Sequence, residues 1–130
     1  MNSERIYGYD EGLWFRVIKA GWSSGDEEAR VISSLLKELG VGNTLVDLGC
    51  GIGRLSIRLA LMGYRVVGID LSKLCVEEAR SIARKMGVDD RVDFVVGDYR
   101  RLEEYASGRR FDAALCIDCL LYTSDAADEG

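Results

Sequence analysis

Three glycines and the acids around them are where chemistry is first legible in this chain. Gly49, Gly51 and Gly53 alternate with Cys50 and Ile52 directly after an apolar run at 44–48, and Asp47 stands two residues before the first of them. Glycines spaced this way let the chain turn tightly and bring main chain against a ligand that a Cβ would hold off. Asp70 closes a second apolar run about 20 residues further on, the usual distance for a carboxylate that accepts both hydrogen bonds of a ribose diol. Position 54, where a dinucleotide fingerprint needs its third glycine, is Arg. Asp47 would repel a pyrophosphate and attract an ammonium or sulfonium. The set therefore specifies an adenosine-type ligand that carries positive charge, for which S-adenosylmethionine has the right chemistry.

The elements that must hold these residues follow from periodicity. Ser24 and Glu27 have the spacing of a capping box, and Val31, Ile32, Leu35, Leu36 and Leu39 recur at helical intervals until Gly40, which predicts a helix with one buried face. Residues 44–48 form a strand, and Leu55, Leu59 and Met62 mark a helix stopped by Gly63. Residues 65–70 form a second strand. Ser72 can cap a third helix whose inward stripe is Cys75, Ala79, Ile82, Ala83 and Met86. A third strand at 91–96 ends in Gly97 and Asp98; a helical turn around 102–105 and a fourth strand at 111–117 follow. Strands alternating with amphipathic helices predict a parallel sheet with right-handed crossovers. In such a sheet ligands bind beyond the carboxyl ends of the strands, where Asp47, Gly49, Asp70, Asp98 and Asp118 all fall.

The motifs at 46–53, 67–70, 94–99 and 111–116 resemble, in order and spacing, those of class I S-adenosylmethionine-dependent methyltransferases, over about residues 26–118. The resemblance implies a Rossmann-like, doubly wound parallel α/β sheet of the class I methyltransferase type, truncated after the fourth strand. It implies the strand order 3-2-1-4, S-adenosyl-L-methionine as cofactor, and cofactor-binding roles carried over by position. Main chain around Gly49, Cys50, Gly51 and Gly53 would border the methionyl part, with Asp47 holding its ammonium. Asp70 would take the ribose hydroxyls, Leu71 would pack on the adenine, and Asp98 with the Tyr99 amide would read the adenine edge. Main chain at Cys116 is a further methionyl candidate. No residue is assigned as general base. A small-molecule methyl acceptor is favoured over nucleic acid. The alternatives are an aminopropyltransferase of the same fold and a non-catalytic adenosyl-binding module.

Composition narrows the classes further. A net charge of −5 supplies no positive field for nucleic acid or anionic lipid, and the absence of histidine removes the commonest general base and metal ligand, so no metal site is expected. No apolar run is long enough to suggest a membrane span, and no signal-peptide pattern opens the chain; the expected location is the cytoplasm. The four cysteines, Cys50, Cys75, Cys116 and Cys119, are expected to be reduced. Tyr7, Tyr9, Trp14 and Trp22 are expected to pack an N-terminal helix rather than to form a lid, Arg54 to be solvated, and Glu103, Glu104, Arg109 and Arg110 to form a solvated loop face. Residues 119–129 break the composition abruptly and resemble a translated transposon-end sequencing adapter. The expected organisation is an N-terminal segment at 1–25, an incomplete cofactor-binding domain at 26–118 and a non-native tail at 119–130. A fourth strand without its next neighbour would present an apolar edge, which predicts aggregation of the isolated chain.

Overall fold

Leu45, Val46, Val66, Val67 and Ile69 are all buried. Two adjacent strands are thus covered on both faces, the condition under which parallel strands read as continuous apolar runs rather than alternating ones. The computed structural model describes residues 21–105 and 108–117. Its strands are β1 (Thr44–Leu48), β2 (Arg65–Asp70), β3 (Val92–Val96) and β4 (Ala113–Leu115). Its helices are α1 (Gly25–Glu38), α2 (Arg54–Leu61), α3 (Lys73–Lys85) and α4 (Leu102–Tyr105), with 3-10 turns at Trp22–Ser24 and Tyr99–Arg101.

The strands are parallel, as the alternation of strands and helices predicts, and ordered β3-β2-β1-β4, as the family resemblance implies. Chain order runs outward from β1 to β3 and then returns to the other side of β1, which creates a topological switch point there. The register aligns the carboxyl ends: Leu48 pairs with Ile69, Asp47 with Leu115, and Asp70 with Val96.

One sheet face carries the main core. Leu36 of α1, Leu55, Ile57 and Leu59 of α2, and Val76, Ala79 and Ala83 of α3 pack there on Leu45, Val66 and Phe94. The opposite face holds a smaller cluster, in which Val46, Val67 and Ile69 meet Leu48, Val95, Tyr99, Leu102 and Phe111.

Four sequence expectations are corrected, the last two together. Helix α1 buries Gly25, Ala29, Ser33 and Leu36, while Val31, Leu35 and Leu39 are exposed. Leu36 and Ile32 of the expected stripe do face the core, but the small residues Gly25, Ala29 and Ser33 share that face, and Val31, Leu35 and Leu39 lie off it. A Cβ on Gly25 would lie 2.4 Å from a nitrogen of Arg58. Second, Ser24 caps nothing with its side chain. The preceding 3-10 turn leaves it in a helical conformation, and its hydroxyl donates to the Gly21 carbonyl at 2.9 Å. Third, β4 spans only three residues, and Met62 and Met86, expected on inward stripes, are exposed. Ser72 does cap α3, accepting from the Cys75 amide at 3.1 Å. Glu103, Glu104, Arg109 and Arg110 are exposed as expected. Tyr7, Tyr9, Trp14, Asp118 and the tail at 119–130 lie outside the described residues.

Candidate functional site

The glycine segment folds as its composition requires. Gly49, Gly51 and Gly53 have φ of 76°, 58° and 87°, in the left-handed region that costs other residues energy. The Gly49 and Cys50 amides both donate to the Ile69 carbonyl, at 2.8 and 3.0 Å, which fastens the turn to the end of β2. Gly53 is required twice over, because a Cβ there would also lie 2.8 Å from Cζ of Phe94 and 2.9 Å from Cδ1 of Ile57. A glycine the sequence reading passed over completes the fit. A Cβ on Gly68 would lie 2.7 Å from the Phe94 ring and 2.9 Å from Sγ of Cys50, so the turn rests on a strand without a side chain at that point. A glycine inside a strand was the available signal.

Around this turn the structure gathers two buried carboxylates. Asp70 is 2% exposed; its Oδ2 accepts from the Gly51 amide at 2.8 Å and its Oδ1 from the Ser72 amide at 2.9 Å. Both loops that leave the β1 and β2 ends are therefore tied to one side chain. Asp47 is 4% exposed, and its Oδ2 accepts from the Ser56 hydroxyl at 2.6 Å. Cys50 lies between the two acids. Burial, then the charges of Asp70 and Asp47, push its thiol well above its ordinary pKa, so it stays protonated.

The β3 end joins through main chain, the Gly97 amide donating to the Asp70 carbonyl at 2.9 Å. Asp98 is engaged differently from the other two acids. Its Oδ1 accepts from the Arg100 amide at 2.9 Å, and its carboxylate is gripped by the Arg100 guanidinium at 2.6 to 3.0 Å. The hydrogen bond from the Arg100 side chain holds the Asp98 carboxyl below its usual range. Burial raises the half-buried Tyr99 phenol. Leu71 is half-buried just past β2, and Cys116 lies exposed just past β4.

Other expectations need revision. Arg54 is not solvated; its side chain is 11% exposed and pairs with Glu28. Arg58 completes the junction of α1 and α2, donating to Asp26 at 2.6 Å and stacking 4.3 Å from the centroid of the Trp22 ring. Cys50 and Cys75 are reduced and buried, whereas Cys116 is disulfide-bonded. Hollows of about 420 and 280 Å³ lie along β3 and at the amino ends of the strands, lined by arginines and aspartates; neither includes Asp47, Asp70 or Asp98. Among the described residues there is no cluster of three or more potential metal ligands, and no helix is long and apolar enough to cross a membrane.

A parallel sheet with a glycine turn after its first strand and an acid ending its second defines a Rossmann-like ligand-binding fold. Residues 45–129 match the family model of a methyltransferase domain, and the chain belongs to the class I S-adenosylmethionine-dependent methyltransferase family. The cofactor of that family is S-adenosylmethionine. Among solved structures, the chain is similar to magnesium protoporphyrin IX methyltransferase from Synechocystis with bound SAM. The identity is 28%, the TM-score 0.63, and the match covers 95% of this chain and 58% of that one. Among curated proteins, it is 37% identical over 82 residues to norajmaline N-methyltransferase of Rauvolfia serpentina, covering 62% of this chain and 27% of the relative. It is also 37% identical over 71 residues to an RNA methyltransferase of Parasynechococcus marenigrum, covering 55% and 15%. The chain thus spans well under half the length of these curated relatives.

The residues present fit such a cofactor. Two buried carboxylates flank a turn whose three glycines adopt positive φ, an arrangement hostile to pyrophosphate and suited to a cationic adenosyl ligand.

Proposed function

We propose that this chain binds S-adenosylmethionine at the carboxyl ends of β1, β2 and β3, and that the protein transfers a methyl group to a small-molecule acceptor. The observation that carries the reading is the bond from the Gly51 amide to Asp70, which joins the glycine turn and the second-strand acid into one rigid unit. Bound there, the cofactor supplies an electrophilic methyl on a sulfonium.

The chain's own residues bind and orient. Main chain at Gly49, Cys50, Gly51 and Gly53 borders the methionyl part, and Asp47 holds its ammonium. Asp70 takes the ribose hydroxyls, a carboxylate offering about four lone-pair sites of which the Gly51 and Ser72 amides engage two. Leu71 covers the adenine, and Asp98 with the Tyr99 amide meets its polar edge, Asp98 sharing its oxygens with Arg100. Main chain at Cys116 adds to the methionyl end. Holding both reactants in line is the main catalytic contribution expected of such a site. The small-molecule acceptor is favoured because the sequence displays neither a basic patch nor an added recognition module for nucleic acid; norajmaline N-methyltransferase is a relative consistent with it, whereas the RNA methyltransferase relative represents the other acceptor class.

Calorimetric titration with S-adenosylmethionine, S-adenosylhomocysteine and NAD tests the reading. Binding of the first two without the third is expected; binding of NAD alone would overturn it.

A further inference from the structure

Ser56 is fully buried in the first turn of α2, among Leu55, Ile57, Leu59 and Ala60. A hydroxyl in such surroundings costs free energy unless it is hydrogen-bonded, and alanine is the better helix former. A serine inside a helix usually bonds to its own helix backbone. Ser56 instead reaches back nine residues and donates to Asp47 Oδ2 at 2.6 Å, the short distance of a charge-assisted bond. The bond crosses from the helix that leaves the glycine turn to the strand that enters it, closing the bend on its inner side.

We infer that Ser56 is a positioning residue for the cofactor site: its hydroxyl fixes the Asp47 carboxylate in the orientation that receives the ammonium of the methionyl group. The inference rests on the proposed function, since it needs a ligand with an amino-acid end at Asp47. It assigns to Ser56 a selectivity, because the hydroxyl favours ligands that carry the ammonium and does nothing for those that lack it.

Two probes separate this from a merely structural role. S-adenosylhomocysteine has the amino-acid end, and 5′-methylthioadenosine keeps the adenosine but lacks it. In calorimetric titrations of the 130-residue chain, Ser56→Ala is expected to weaken S-adenosylhomocysteine about tenfold and to leave 5′-methylthioadenosine within about twofold. Ser56→Thr, which retains the hydroxyl, is expected to restore most of the difference. In an Asp47→Asn background, Ser56→Ala is expected to change S-adenosylhomocysteine affinity little, since residues that act as a unit are not additive. Equal weakening of both ligands, an unchanged S-adenosylhomocysteine affinity, or full additivity with Asp47→Asn would overturn the inference. Failure of the unmodified chain, monomeric by gel filtration, to bind S-adenosylhomocysteine would instead remove the functional reading beneath it, and is seen before any variant is made.

Discussion

The two halves of the candidate site hold their acids by different means. At the ends of β1 and β2, Asp47 and Asp70 are almost wholly buried and bonded to a helix hydroxyl and to two loop amides. At the end of β3, Asp98 is paired with the long side chain of a residue two positions away. A deeply buried carboxylate fixed by a helix hydroxyl or by loop amides is oriented before any ligand arrives. One held by arginine can exchange partners, at the cost of rearranging a flexible side chain. The first half is thus the more fixed of the two, and the second the more open to rearrangement.

The packing beneath the two halves differs in the same sense, and substitutions there give the largest expected effect. Ile57 is fully buried in the main core under the glycine turn, so Ile57→Ala is expected to cost about 2–5 kcal/mol of unfolding free energy. Leu102 is half-buried on the thinner face, and Leu102→Ala is expected to cost about 1–2 kcal/mol. Urea unfolding of both variants checks the contrast, and equal losses would erase it.

A smaller effect separates the acids by pH. The folded-state pKa of Asp98 is lowered, so its pairing stabilises the fold above the ordinary carboxylate pKa, and that contribution is lost as pH falls through the lowered value. Asp98→Asn is therefore expected to be less stable than the unmodified chain near neutral pH, by about 1 kcal/mol or less. The two should converge well below pH 4. Urea midpoints across that range test this; a difference that persists at the acid end would mean that the contribution is not ionic. The smallest effect concerns Cys50. Its thiol is buried and kept protonated by the neighbouring acids, so iodoacetamide at mildly alkaline pH is expected to leave it unmodified until the chain unfolds.

Local requirements made the first half of the site legible in the sequence. Glycines with positive φ have few substitutes, and the spacing from Gly49 to Asp70 is set by one strand–helix–strand unit. Strands β1 and β2 were equally plain, because burial on both faces leaves an unbroken apolar run. What escaped were interactions between residues distant in sequence. Arg54 meets Glu28 and Arg58 meets Asp26 across the junction of α1 and α2, 26 and 32 residues apart, and no local pattern announces such pairs. The same junction misled the reading of α1. Gly25, Ala29, Ser33 and Leu36 recur at helical spacing just as Val31, Leu35 and Leu39 do, and close packing favoured the smaller set. Ser56, too, meets its partner Asp47 across nine residues and two elements, a pairing that no helical periodicity marks.

The account depends most on Asp70 joining the turn to a ribose site, and the affinity of Asp70→Asn for S-adenosylhomocysteine tests that directly. The amide preserves the shape of the side chain, and its one carbonyl oxygen can still accept from Gly51 while its NH2 group faces the Ser72 amide, so circular dichroism and the urea midpoint of the variant are measured beside its affinity to separate a disturbed turn from a lost ribose contact. We predict at least a tenfold loss of affinity, corresponding to about 1.4 kcal/mol. A folded variant that binds S-adenosylhomocysteine as tightly as the unmodified chain would contradict the account.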